Sequence, residues 1–362
     1  MRKMRFLNGL LASISRKGKG DPREYFKVMP ANDYEYDWKA ARGFPNLLPE
    51  PRKRAGTPRL SPALSYRFLA HVSGGKVTLY FGCPPGEAGA VRSAFAGVYP
   101  KVSLSPAASP VTSWEGGAAA ELYARGGPWL PLARLDGQPS ALAAALVALG
   151  AGKHAAHEAV LDVCFWARPT DEVLARAERE AAKLSGMLPG GGSLAELAAQ
   201  VKETLSSPAL GGKSSGGHSA SKSSAVQKYK ELRILRPSQI ALAEEIRDRF
   251  RSPERAFEVT VRVAARGGLP GAAERAVKDA VANLKRLGGH NRLEMSGRFA
   301  PDRRVAAGLA GERLLMNSSE LACLLAIPGP DTSAWPYLER DVARTVAPPP
   351  WMLGGEEEAE RS

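Results

Sequence analysis

Chemistry in a chain of 362 residues would have to come from a few stretches. Ser207-Pro208-Ala209-Leu210-Gly211-Gly212-Lys213-Ser214 ends like a phosphate loop. A working loop reads GxxxxGK followed by Ser or Thr, because its glycines let backbone N–H groups close on the phosphates. Here serine takes the place of the first glycine, proline follows it, and no strand leads in, so no nucleotide site is expected. Gly150-Ala151-Gly152-Lys153-His154 lacks the leading glycine and the hydroxyl, and it follows a helix. His154, His157 and Glu158 form HAAHE, which superficially suggests a metal. A zinc-binding helix needs histidines four apart with the glutamate next to the first. The spacing here is three, and the segment enters a strand, where residues three apart face opposite sides. It reads as a polar loop. His71, His218 and His290 are isolated, and no nucleophile–base set can be placed on converging elements. The expectation is a chain with no catalytic residue, no metal ligand and no cofactor.

Cations are the remaining candidates. The net charge is +13, and residues 1–60 hold 14 Lys/Arg against 6 Asp/Glu. In Met1–Lys17 the cations Arg2, Lys3, Arg5, Arg16 and Lys17 flank an apolar face of Met4, Leu7, Leu11 and Ile14. That pattern suits a helix docked on the protein itself, or an interfacial helix resting on an anionic membrane surface. Arg52, Lys53 and Arg54, with Arg59, form a second patch, and Lys285, Arg286, His290 and Arg292 a third. Together they predict contact with anionic lipid or non-specific contact with DNA; no base-reading motif is present.

The elements that must carry these residues are those of an α+β protein. Leu135–Pro169 reads as a turn, an apolar helix, a polar loop and a strand. Ala141–Leu149 contains only Ala, Leu and Val, a composition apolar on every face, so this helix is expected to be buried. Val160–Phe165 is apolar except for Asp162, as suits a strand inside a sheet. Tyr66–Val72 and Lys76–Gly82 read as a hairpin joined through Ser73-Gly74-Gly75. A helix over Glu87–Gly97 and strands at Val102–Leu104, Ala118–Ala124 and Trp129–Ala133 complete a first domain. Phe257, Val259, Val261 and Val263 alternate with polar residues as a strand, a helix follows at Ala272–Leu287, and a strand at Asn291–Met295. Leu314–Pro328 reads as a short amphipathic helix opened by an Asn/Ser cap.

The fold class expected is two ferredoxin-like-type α/β sandwich domains joined by helices and a flexible Ser/Gly linker. Residues 1–60 would be a basic, partly disordered arm and 61–170 the first domain. A helical connector (171–205) and the linker (206–224) would lead to the second domain (225–347), with an acidic disordered tail at 348–362. No apolar run is long enough to cross a bilayer. Cys83, Cys164 and Cys323 sit among apolar neighbours, as small core residues do.

Several of these segments, in order, resemble the conjugative DNA-transfer ATPases of the type IV secretion kind, especially those of actinobacterial mobile elements. The matching parts are Val77–Phe81, the helix ending at Tyr99-Pro100, Asp136 to Gly152, Ala159 to Pro169, Phe257 to Val263, and Met316-Asn317-Ser318-Ser319-Glu320-Leu321-Ala322 through Ile327-Pro328. The resemblance covers about residues 60 to 335. In that family a phosphate loop and motor follow the Leu-Pro segment, whereas this chain stops soon after Pro350. The resemblance therefore implies the pre-motor region encoded alone. That region would be a non-catalytic scaffold, cytoplasmic and peripheral to the inner face of the membrane. It would act with a separately encoded motor ATPase, with its oligomeric state open. The surface implied for that partner is the C-terminal segment: Leu321, Leu324, Leu325 and Ile327, with Trp335 and Tyr337 as aromatic anchors. The alternative, equally open for Leu321 and Leu325, is that these residues fold back as the second domain's own core. The rival reading is a nucleic-acid-binding accessory protein using the basic arm.

Overall fold

The computed structural model describes residues 21–50, 62–133, 140–150, 157–184, 237–296 and 301–341. In chain order the strands are β1 (Glu24–Pro30), β2 (Tyr66–Ser73), β3 (Lys76–Cys83), β4 (Val102–Ala107), β5 (Ala118–Ala124), β6 (Glu158–Arg168), β7 (Ala256–Arg266), β8 (Leu293–Ser296) and β9 (Leu314–Asn317). The helices are α1 (Trp38–Leu47), α2 (Ala88–Val98), α3 (Ser140–Ala148), α4 (Thr170–Leu184), α5 (Pro237–Asp248), α6 (Ala272–Leu284), α7 (Pro301–Ala307) and α8 (Ser318–Leu325). All nine strands join one antiparallel sheet in the order β4-β1-β3-β2-β6-β7-β5-β8, with β9 pairing the start of β7.

That order contains a repeat. The first half runs β1-α1-β2-β3-α2-β4 with spatial order 4-1-3-2. The second half runs β5-α3-β6-β7-α6-β8, with α4 and α5 between β6 and β7, and repeats the same order as β8-β5-β7-β6. The halves meet edge to edge where β2 pairs β6, from Tyr66↔Phe165 to Ser73↔Glu158. The expected boundaries divide the chain differently. β1 and α1 fall in the stretch read as an arm, yet β1 lies between β3 and β4. β5, α3 and β6, assigned to the first domain, belong by pairing and order to the second half. Single-segment reading could not detect this, because Glu24–Pro30 is short and lies among charges and prolines.

Local chemistry explains the elements. The β2–β3 hairpin closes on Gly74 and Gly75, both at positive φ (56° and 79°), as a two-residue turn requires. Asp37 caps α1 by accepting from the Lys39 and Ala40 N–H groups. Pro100 follows the end of α2, where the Tyr99 N–H donates to the Phe95 carbonyl. Residues 129–133 are not a strand. Asn291 holds them as a turn, its amide donating to the Gly127 and Leu130 carbonyls while its oxygen accepts from the Gly126 N–H.

Alternate residues of each strand face one continuous core, beneath α1, α2, α3, α6 and α8. Phe44, Phe81, Phe95 and Tyr99 pack edge to face or tilted within it. α3 is buried along most of its length, as its composition implied, with Ala144, Val147 and Ala148 half-buried. The opposite face of the sheet is covered by the 108–116 loop and α7 over Leu69, Val160 and Ala264, and by the α4–α5 pair over Ala256.

Candidate functional site

Under α7, the second face carries a row of ionised side chains where an apolar layer would be ordinary. Each comes from a different strand: Arg67 near the start of β2, Asp162 in β6, Arg262 in β7 and Glu121 in β5. Asp162 sits directly across from Arg262, which sits across from Glu121, so the sheet register itself aligns the row. Asp162 accepts from Arg67 Nε (2.8 Å) and Nη2 (3.1 Å) and from Arg262 Nη1 (2.8 Å). Arg262 also donates to Glu121 from Nε (3.0 Å) and Nη2 (2.8 Å), and Arg304 Nη1 reaches the other oxygen of Glu121 (3.1 Å). On the β1 side Asp21 accepts from both Arg23 and Arg67. Arg67, Asp162, Arg262 and Glu121 are at most 1% exposed.

Burial alone would raise the Asp162 pKa. The guanidiniums of Arg67 and Arg262 outweigh it and hold the carboxyl below its ordinary value of 3.8. Burial, reinforced by Asp162, pushes the Cys164 thiol up to about 12, so it remains a protonated donor. Its Sγ points to Asp162 Oδ1 and to the Gly308 carbonyl.

Four guanidiniums (Arg23, Arg67, Arg262, Arg304) face three carboxylates (Asp21, Glu121, Asp162). Carbonyl groups at and beyond the C-terminus of α7 supply the missing negative potential. Arg262 donates to the Arg304 (2.9 Å) and Leu309 (2.8 Å) carbonyls, Arg67 to those of Val305 and Ala306, and Arg23 to that of Gly308 (3.1 Å). The stretch from Arg304 to Gly311, a strap over the row, passes so close that side chains would not fit at its two glycines, Gly308 and Gly311. A Cβ on Gly311 would lie 2.1 Å from Glu121 Oε1, and one on Gly308, which sits at φ +55°, 2.7 Å from Arg23 Nη1. Every carboxylate oxygen of Asp162 and Glu121 is already engaged. The arrangement acts as an ionic lock tying the two halves and the strap together; no lone pair is directed at an outside ligand.

A second polar hub is built on Asn317-Ser318-Ser319-Glu320. Asn317 caps α8 by accepting from the Glu320 N–H (2.8 Å), and Glu320 accepts from the Asn317 N–H (2.9 Å), a reciprocal capping box. Glu320 also takes a forked pair of bonds from buried Arg249 and one from the Leu132 N–H. Ser319 donates to Glu254, which in turn holds Arg42 of α1 (2.9 Å), and Ser318 reaches Asn46. All eight residues of α8 are buried, so this helix is not the amphipathic one expected.

The residues proposed from sequence as a partner surface are therefore mostly interior. Leu321 and Leu324 are fully buried, as are Leu325 and Ile327. Trp335 is 9% exposed, stacks on Tyr34 and lies under the Arg340 guanidinium. Tyr337 is half-buried against the same core. Arg2, Lys3, Arg5, Arg16, Lys17, Arg52, Lys53 and Arg54 lie outside the described residues, as do the 207–214 stretch, His154, the 206–224 linker, connector residues 185–205 and the tail. Glu158 bonds His71 Nε2 (2.9 Å) and Arg266. Among the described residues no cluster of His, Cys, Asp and Glu could hold a metal, and no helix is long and apolar enough to cross a membrane.

Sequence reasoning missed the lock although a signal was present. Arg67, Glu121, Asp162 and Arg262 are two bases and two acids set within strands, and Asp162 and Glu121 in particular are flanked on both sides by apolar residues. A lone charge there needs a partner from another strand. No protein-family model and no curated protein matches the chain.

Proposed function

We propose that the chain is a non-catalytic scaffold of a conjugative DNA-transfer machine, working beside a separately encoded motor ATPase and peripheral to the inner face of the cell membrane. The observation that carries the reading is the ordered run of family-like segments from about residue 60 to 335. The internal chemistry is compatible with it, since the buried carboxylates and guanidiniums hold elements together. We also read each half as ferredoxin-like, because its β-α-β-β-α-β path and 4-1-3-2 order match that arrangement, with the halves fused through β2 and β6. A rigid double sheet of this kind suits a part that positions others.

The family-like stretch Met316–Ala322 takes a changed role in this reading. It is the internal hub that fixes α1, α5 and the 128–132 turn, rather than the contact itself. Contact with the motor then falls to exposed groups of the same region, Pro336 and the outer edge of Tyr337. The test is to mix the purified full chain with a phosphate-loop motor encoded in the same gene neighbourhood. Sedimentation should show a stoichiometric complex, with ATP hydrolysis by the motor alone and none by the chain. Absence of a complex at about 10 μM of each, a range that captures ordinary specific interfaces, overturns the reading.

A further inference from the structure

We propose that the β8 edge of the sheet is a nucleic-acid contact that grips phosphates without reading bases. It is a site on the folded body, separate from the basic segments near the N-terminus and independent of any motor partner. Three stretches distant in sequence converge there: Arg125 after β5, Lys285 and Arg286 after α6, and Arg292 before β8. The Arg125 N–H donates to the Arg292 carbonyl (2.9 Å), which sets the two arginines side by side. Asn291, 2% exposed, fastens the 126–130 turn to the β8 lead-in through three hydrogen bonds, so the pair sits on a rigid base. Lys285 Nζ lies 2.8 Å from Glu294 Oε2. The hydrogen bond from Lys285, then the charges of Lys285, Arg125 and Arg292, hold the Glu294 carboxyl below its ordinary value.

Lys285 is paired with Glu294, while Arg125, Arg286 and Arg292 are exposed nearby, and a further carboxylate, Glu245, lies 3.3 Å from His290. Among the described residues, Arg125, Arg286 and Arg292 have no side-chain hydrogen bond or ion pair. The arginines of the lock are all engaged, so these three are different in kind. Sheet edges often carry a charge to prevent edge-to-edge pairing. The opposite edge, β4, has Ser103, Ser105 and Pro106 within the strand, and Lys101 just before it is paired with Asp33 (3.0 Å), so edge protection does not by itself account for the unpaired arginines beside β8. A lipid-binding face would pair its cations with apolar groups that insert. Here Met295, 43% exposed, is the single large apolar side chain at the edge. A row of cations on a fixed backbone, with Tyr123 half-buried across from Glu294, suits a phosphodiester backbone and gives affinity without sequence preference.

The test measures binding of fluorescent single-stranded and duplex oligonucleotides to the full chain over a range of salt. Three proteins are compared: wild type, an Arg125→Gln/Arg292→Gln double variant, and a control with Arg2, Lys3, Arg5, Arg16 and Lys17 changed to Gln. The double variant should keep the wild-type melting temperature, because both side chains are exposed. Its affinity should fall about tenfold, with the log–log salt slope shallower by about 0.7 per cation removed on single strands. The control should retain that same drop when the double variant is built into it. Unchanged affinity and slope in the double variant overturn the proposal. So does a drop confined to binding of phosphatidylserine vesicles, which would mark the edge as a membrane contact.

Discussion

Asp162 is the residue on which the ionic lock turns, because it alone bridges Arg67 of one half and Arg262 of the other. Removing one partner of a buried ion pair leaves the others charged and uncompensated, at about 3–5 kcal/mol. Asp162→Asn should therefore lower stability by about that amount in urea unfolding at neutral pH. The pH dependence has a definite sign. The folded carboxyl titrates below 3.8, so its stabilisation is complete above that value and disappears as pH falls through the lower, folded pKa. Wild type and variant should converge in acid. A constant difference down to pH 2, well below the ordinary carboxylate range, would mean that the charge of Asp162 is not what stabilises the fold.

At the scale of elements, α8 depends on its first turn. Asn317→Ala would remove the cap worth about 1 kcal/mol and also the amide bond to the Arg249 carbonyl, so a loss of about 2 kcal/mol is expected by chemical denaturation. A loss within experimental error would show the capping box to be dispensable. The Asn-Ser-Ser-Glu pattern was legible in sequence because capping is local chemistry. The hairpin at Gly74-Gly75, the buried α3 and the strands β6 and β7 were legible for the same reason: each is set by a turn residue or a composition within a dozen positions. What escaped was non-local. Nothing near Glu24–Pro30 signals that it pairs with β3 and β4, and Trp129–Ala133 looks extended until Asn291 is brought beside it. Leu321 and Leu324 have the same composition whether they meet a partner or the core. Only the sheet above them decides.

For the whole molecule, the joint between β2 and β6 is continuous with both halves: eight residue pairs link β2 to β6 and eleven link β6 to β7. The core beneath crosses it without a break, through Phe68, Phe165 and Phe257. Thermal unfolding should accordingly be a single transition, with calorimetric and van't Hoff enthalpies equal. Two resolved transitions, one for each half, would contradict the shared core.

The same joint sets an order of events during synthesis. Tyr66 meets Phe165, ninety-nine positions later in the chain, so β2 leaves the ribosome long before its neighbour exists. At elongation rates of about 5–20 residues per second, that interval lasts about 5–20 seconds. Throughout it, the first half has an apolar strand with unanswered hydrogen-bonding groups, a template for a neighbouring nascent chain on the same message. Chains terminated before Glu158 keep that edge for good. The burden of keeping this protein soluble falls on its first hundred and sixty residues, and on how quickly translation carries the chain past them.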